Sequence, residues 1–440
     1  MEDSYIIKGG KKLSGEVKLS GAKNAALKMI IASLLFDEKV VLENIPRIND
    51  VIELLHLIKS LGAKVDFVDK NQVEIDPTSL NQNKVDLLHA SKIRVSFMLF
   101  APLLHKFGSC FVPNPGGCRI GARPIDRIVE GMKSLGVEIR YISRTGFYEA
   151  KMPDKPRGIF RFSKPSHTGT ELLIMLSVFG KDKIVLENCA NEPEIDNLIS
   201  FLNQSGARIV KENSLIEIDG VEKLKFKEPF KIIPDRNEAV TYICLALATG
   251  GSISLKNLLL ENITIFVEKL KQAGVKIKTS NNGIFFSRGK SLQSVNIETT
   301  PHPGFMTDWQ PNWAVLMTQA QGKSTVNERV FENRFSYVSE LKKLGAKIRF
   351  LEKKVENPKD FYYFNYVRGK KYNQVIEIDG PVSLHGGALN IADLRAGASL
   401  ATAALVADGE SVVNGVSILE RGYEDFVEKV RNLGGEIKKI

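Results

Sequence analysis

Cys118 follows two glycines and precedes an arginine in Pro113–Asp126, PNPGGCRIGARPID, a stretch too rich in glycine and proline to be a helix or a central strand. A free cysteine is usually buried and inert. This one has Arg119 beside it and Arg123 five residues on, and neighbouring cations stabilise a thiolate, so local chemistry favours a functional thiol. Cys110, Cys189 and Cys244 stand in apolar or strand-like contexts and read as structural. None of the four cysteines has C-x-x-C spacing, which argues against a disulfide framework and against a zinc site, and the six histidines are scattered singly. Two phosphate-loop look-alikes fail on spacing: GIFFSRGKS has five residues between its glycines where the motif needs four, and AQGKST lacks the first glycine. Asp308 in HPGFMTDWQPNW and Asp393 in IADLRAG each read, in isolation, as helix caps.

The elements that must position these residues come in six copies. A tail recurs after amphipathic helices (SLGAKV, SLGVEI, QSGARI, QAGVKI, KLGAKI, NLGGEI), its glycines being Gly62, Gly136, Gly206, Gly274, Gly345 and Gly434. Each predicts a surface helix ended by a left-handed glycine and followed by a short strand. The longest interval, before Gly434, predicts an insertion near EKKVENPKDFYYFNYVRGKKYNQ. Upstream of each surface helix lies an almost uncharged one, from AALKMIIASLLF to GASLATAALVADG, and a helix apolar all round belongs inside a domain. Each copy therefore reads as buried helix, strand, surface helix, strand, strand. Six exceed one ordinary core, so two domains of three copies are expected, with the site between them. The approaches to the buried helices carry Lys23 and Asn24, Arg94, Ser166, Arg236, Asp308, and Asp393 with Arg395, a pattern suited to anions at helix N-termini.

Composition sets the bounds. At 43% hydrophobic and 25% charged, the 440-residue chain reads as an ordinary soluble globular protein, and its net charge of +10 suggests anionic partners. There is no long basic run and no basic helix interleaved with aromatics, so nucleic acid is not expected. No apolar stretch has signal-peptide or membrane-spanning length, which predicts a cytoplasmic protein without membrane partners.

Six ordered motifs, LSGAKNAAL, PGGCRIGARPID, TTPHPGFMTDWQ, VFENRF, ADLRAGASL and ERGYED, together resemble the UDP-N-acetylglucosamine 1-carboxyvinyltransferase family, from about residue 5 to the C-terminus. The resemblance implies an α/β fold of two inverse α/β barrels, each of three βαβαββ-type units, with the active site in the interdomain cleft. It implies one domain over 22–235 and a second made of 1–21 and 236–440. It also implies transfer of the enolpyruvyl group of phosphoenolpyruvate to the 3′-hydroxyl of UDP-N-acetylglucosamine with release of phosphate, the first committed step of peptidoglycan precursor synthesis. No metal or cofactor is required.

Residue roles follow from the same resemblance. Cys118 matches a loop cysteine assigned to general-acid work on phosphoenolpyruvate, on a lid that closes over substrate and is alkylated by fosfomycin. Asp308 matches the carboxylate beside the sugar 3′-hydroxyl. Lys23, Arg123 and Arg421 match groups around the phosphoenolpyruvate phosphate. Arg334 and Arg395 border the site, Arg94 is a phosphate-side arginine, and Asn24 is a sugar contact. Asp393 orients its neighbours. Pro124, Ile125, Asp126, Ser166, His167, Arg236 and Val330 complete the expected substrate-binding set. Where the family reads Ser-Val-Gly-Ala-Thr this chain has SHTGT and then Glu171, in a segment that contacts the UDP moiety. A 5-enolpyruvylshikimate-3-phosphate synthase lacks the Gly-Gly-Cys loop. A non-catalytic or RNA-binding relative is suggested by the positive charge alone, and the presence of Lys23, Cys118, Asp308 and Arg421 argues against it.

Overall fold

The computed structural model describes residues 3–117, 125–281, 283–332 and 334–440. Gly62, Gly136, Gly206, Gly274, Gly345 and Gly434 all have φ between 84° and 101°, a left-handed conformation that side chains rarely adopt. A Cβ at Gly136, Gly206 or Gly434 would meet nothing within 4 Å, so the backbone conformation, and not space, demands glycine there. Each glycine ends a surface helix: Asn49–Ser60, Asp126–Ser134, Pro193–Gln204, Thr264–Gln272, Tyr337–Lys343 and Phe426–Asn432.

Six further helices are largely buried: Lys23–Ala32, Phe100–Phe107, His167–Ser177, Arg236–Ala248, Gln310–Met317 and Leu394–Val406. Every residue of Arg236–Ala248 and of Gln310–Met317 is buried, which is why these segments carry so few charges.

The described residues divide into two compact units. One comprises the chain up to Ser20 together with Pro234–Ile440, and the other runs from Gly21 to Ile233. Each holds three of the six sheets. The sheets mix parallel and antiparallel pairs by one rule. The two strands that follow a surface helix pair antiparallel, such as Lys64–Asp69 with Gln72–Asp76, and after Phe426–Asn432 the single strand Glu436–Lys439 pairs antiparallel with Ser4–Lys8 instead. The strands on either side of a buried helix pair in parallel, as Ile159–Arg161 does with Ile184–Glu187 around His167–Ser177, and Ala388–Asn390 with Glu410–Asn414 around Leu394–Val406. Where the chain passes from one unit to the other, the parallel partner comes from far along the sequence: Ser14–Lys18 pairs with Ser252–Lys256, and Phe230–Lys231 with Val40–Glu43.

The predicted insertion lies between two antiparallel neighbours, Lys347–Leu351 and Val375–Gly380. It has a small core of its own, in which Tyr362 stacks on Phe364 at 4.9 Å and Arg329 lies 4.1 Å from the Phe361 ring centre.

Candidate active site

Within the unit that holds the C-terminus, four predicted residues meet in one ion-pair network. Arg334 Nη2 donates to Asp308 Oδ1 at 2.8 Å and Arg334 Nη1 to Asp393 Oδ1 at 3.3 Å, while Arg395 Nε donates to Asp308 Oδ2 at 3.3 Å. The guanidinium of Arg334 thus bridges two carboxylates, and Asp308 presents both oxygens to arginines, a geometry that lysine cannot reproduce. The arginine side chains are 2% and 4% exposed and that of Asp393 is 5% exposed, whereas Asp308 is 25% exposed, so Asp308 is the member a solute can reach. Burial works against both arginine charges, but Asp393, Asp308 and Glu328 outweigh it at Arg334, and Tyr423, Asp308 and Asp235 do so at Arg395; both guanidinium groups are held protonated.

Local structure explains why the four converge. Asp393 is the cap of Leu394–Val406, accepting from the Arg395 and Ala396 amides at 3.0 and 3.1 Å, so the simple capping role expected of the isolated motif holds, and the same Oδ1 also takes Arg334. Asp308 behaves differently: Gln310–Met317 has Trp309 at its cap position without a side-chain bond, which leaves the Asp308 carboxylate for the arginines. Asp235 caps Arg236–Ala248 through the Asn237 and Glu238 amides. Arg236, 3% exposed, places Nη1 2.9 Å from Nδ1 of His302; because arginine can only donate, His302 accepts there. Val330 donates its amide to Glu328 at 2.7 Å, and Arg421 is partly buried on the chain that leads to Tyr423.

In the other unit Lys23 opens Lys23–Ala32, is 8% exposed and pairs with Asp50 at 2.5 Å. Asn24 beside it is partly exposed. Arg94 begins the turn Arg94–Leu99 with its guanidinium 5.7 Å from the Phe97 ring centre. Ser166 caps His167–Ser177 through the Gly169 amide at 3.3 Å. His167 Nε2 lies 3.2 Å from Glu171 Oε1, and Glu171 Oε2 lies 3.2 Å from Lys28 Nζ. Ile125 is buried and Asp126 exposed at the start of Asp126–Ser134. Cys118, Arg119, Arg123 and Pro124 lie outside the described residues. The two glycines ahead of them do not: a Cβ on Gly116 would sit 1.6 Å from the Ser91 carbonyl oxygen and one on Gly117 2.8 Å from Arg94 Cβ, so only glycines bring this strand exit against Arg94.

Several residues of these networks were not anticipated. Glu328, fully buried, accepts from Thr307 Oγ1 at 2.8 Å and from the Val330 and Phe331 amides, tying the residue before Asp308 to the segment that carries Arg334. Tyr423 lies 5.4 Å beneath the Arg395 guanidinium and bonds Thr241 at 2.7 Å. Asp50 and His302, the partners of Lys23 and Arg236, left no local signal. Lys28 and Glu171 did: an ionisable side chain inside an apolar helix requires a buried partner. The other three cysteines are buried, and burial pushes the Cys189 thiol up to about 12 and those of Cys110 and Cys244 higher still. Among the described residues no cluster of His, Cys, Asp and Glu could hold a metal ion, and no helix is long and apolar enough to cross a membrane.

Comparison with known proteins finds likenesses that span the chain. The family model described as EPSP synthase (3-phosphoshikimate 1-carboxyvinyltransferase) matches residues 7–430. A protein of Halothermothrix orenii named UDP-N-acetylglucosamine 1-carboxyvinyltransferase is 39% identical over 99% of both chains. One of the same name from Desulforapulum autotrophicum is 38% identical over the full length of both. Among solved structures, the enolpyruvyl transferase NikO of Streptomyces tendae aligns over 100% of this chain and 99% of its own at 22% identity with a TM-score of 0.86. An EPSP synthase of Acinetobacter baumannii aligns over the whole of both chains at 16% identity and 0.72. Those two likenesses establish the fold.

Proposed function

Because this chain belongs to the UDP-N-acetylglucosamine 1-carboxyvinyltransferase family, within the enolpyruvyl transferases, we infer that it moves the enolpyruvyl group of phosphoenolpyruvate to the 3′-hydroxyl of UDP-N-acetylglucosamine and releases phosphate. This is an early step of peptidoglycan precursor synthesis, carried out here by a cytoplasmic enzyme. The observation that carries the reading is identity of 35–39% sustained over essentially whole chains of that one name. Each compact unit is, in this reading, an inverse α/β barrel of three βαβαββ copies, and groups from both units serve one reaction.

The reaction has three demands. C3 of phosphoenolpyruvate gains a proton so that C2 becomes electrophilic. The sugar hydroxyl loses its proton as its oxygen bonds C2. The tetrahedral adduct then gives up a C3 proton and expels phosphate, restoring the double bond. Asp308 takes the hydroxyl proton: it is the exposed member of its network, and Arg334 and Arg395 fix both of its oxygens. Lys23, Arg94, Arg123 and Arg421 meet the phosphate and carboxylate of phosphoenolpyruvate, where planar guanidinium groups suit paired oxygens, and Arg334 and Arg395 border the site. Cys118 supplies the proton to C3. Asn24, Ile125, Asp126, Ser166, His167, Arg236 and Val330 border the nucleotide sugar, and Asp393 holds Arg334 in place. Phosphate release from phosphoenolpyruvate on adding each of a panel of UDP-sugars, with the product identified by mass, tests the reading. Release that depends on UDP-N-acetylglucosamine is expected; release without it, or with a different sugar in preference, would overturn it.

A further inference from the structure

Three helices of the Gly21–Ile233 unit bring together a buried charge cluster of which the reaction scheme uses only His167, as a residue bordering the nucleotide sugar. Pro193–Gln204 packs on both Lys23–Ala32 and His167–Ser177. The first two contribute Glu192, at the cap position of Pro193–Gln204, and Lys28; the third contributes His167 and Glu171 one turn later. Glu171 is fully buried, with Lys28 and His167 each 3.2 Å from one of its oxygens. Glu192 is 6% exposed, and its Oε2 has no hydrogen-bond partner among the described residues. Lys28 pairs with Glu171, and Glu192 adds a second buried carboxylate close enough to act on His167, so a cation at His167 offsets negative charge that is costly when buried and uncompensated. His167 is the available cation. Its Nε2 is buried against Glu171, but its side chain as a whole is 19% exposed, against 0% for Glu171 and 4% for Lys28, so the remainder of its ring is the part of the cluster that a ligand can touch.

We propose that His167, as an imidazolium, binds the diphosphate of the nucleotide sugar, and that Glu171, Glu192 and Lys28 are positioning residues that hold it there in that form. The proposal rests on the reading above that Ser166 and His167 border UDP-N-acetylglucosamine. Charge supports it: burial alone would lower the histidine pKa, but Glu171 and Glu192 outweigh burial and the opposing Lys28, and the net shift is upward. Loss of the proton leaves the cluster with one excess negative charge beside a ligand that is itself anionic. Affinity for the nucleotide sugar therefore falls as pH rises through the His167 titration.

The test uses the full chain and two readouts. In proton NMR of the free protein, the His167 ring signal, identified by its loss in His167→Val, titrates with a midpoint above the roughly 6.5 of an ordinary histidine. Glu192→Gln moves that midpoint down and Lys28→Met moves it up, opposite shifts that a general loosening of the fold would not produce. A midpoint at or below the ordinary value, or one that neither variant moves, overturns the proposal. In steady-state assays the KM for UDP-N-acetylglucosamine rises about tenfold across the same pH range while that for phosphoenolpyruvate does not follow it, and His167→Val abolishes the rise. An identical pH profile in His167→Val also overturns it. Absence of UDP-N-acetylglucosamine-dependent phosphate release at every pH would instead defeat the functional reading, with the NMR midpoint still deciding the charge cluster.

Discussion

The networks around Asp308 and around His167 are built from the same materials, a carboxylate between two cations, and differ in which member is exposed. At Asp308 the cations are arginines, charged at every pH a cell meets, and the carboxylate is the exposed member. At His167 the carboxylate is fully buried and the exposed member is an imidazole, whose charge changes near neutrality. The first arrangement suits a proton acceptor that must stay in one place through a reaction. The second suits a binding contact whose strength can vary. The difference teaches that exposure, more than composition, separates the members of each group: in the proposed scheme the reachable side chain meets the substrate and the buried ones hold it.

The largest effect expected from this contrast is all-or-none. Cys110, Cys189 and Cys244 are buried with thiols shifted far up, so a small epoxide such as fosfomycin should label Cys118 alone, and peptide mass mapping would read the adduct. An adduct on one of the buried three with Cys118 untouched removes Cys118 from the chemistry. Next in size, Arg334→Lys keeps the charge but cannot bridge Asp308 and Asp393 together. It should lower kcat/KM about ten- to a hundredfold, the loss of one charge-assisted hydrogen bond, through kcat more than through either KM. An equal loss through the KM for UDP-N-acetylglucosamine would place Arg334 in nucleotide binding.

Stability gives the smaller tests. His105, like His167, belongs to the Gly21–Ile233 unit, but burial pushes its pKa down to about 4 as its Nε2 meets the Leu176 carbonyl at 2.8 Å. The fold keeps it neutral, so the unfolded chain binds the extra proton. Its contribution is complete above about pH 6.5 and is lost as pH falls toward 4, up to about 3 kcal/mol. Urea unfolding at pH 7 and pH 4.5 should show a difference that His105→Gln reduces. The raised His167 contributes in the opposite sense, in full below about pH 6.5 and progressively less as pH climbs past its own higher midpoint. Smallest of all, Asp393→Ala removes a helix cap and one partner of Arg334, and should cost about 1–2 kcal/mol in the same unfolding experiment.

Much of this architecture could be read from the chain because its signals are local. A glycine that must be left-handed, a helix with few charges and, in five copies, a pair of antiparallel strands after the surface helix all lie within one copy of the repeat, so the same reading is made several times over. Four residues named from the quoted motifs, Asp308, Arg334, Asp393 and Arg395, do meet in one ion-pair network. Partner identity could not be read, because it is decided by tertiary packing over long stretches of chain. Asp308 and Arg395 are 87 residues apart, and nothing near Lys23 points to Asp50 or near Arg236 to His302. The cluster at Glu171 falls between these cases. A lysine and a glutamate in otherwise apolar helices announce that each needs a buried counter-charge, without saying that they need one another.

The most direct measurement compares phosphate release from phosphoenolpyruvate and UDP-N-acetylglucosamine by the natural chain and by Asp308→Ala, with thermal unfolding recorded on the same preparations. If Asp308 is the proton acceptor that its network holds ready, the natural chain turns over and the variant unfolds at nearly the same temperature but is about 10²–10⁴-fold slower. A variant within about twofold of the natural rate would contradict the account.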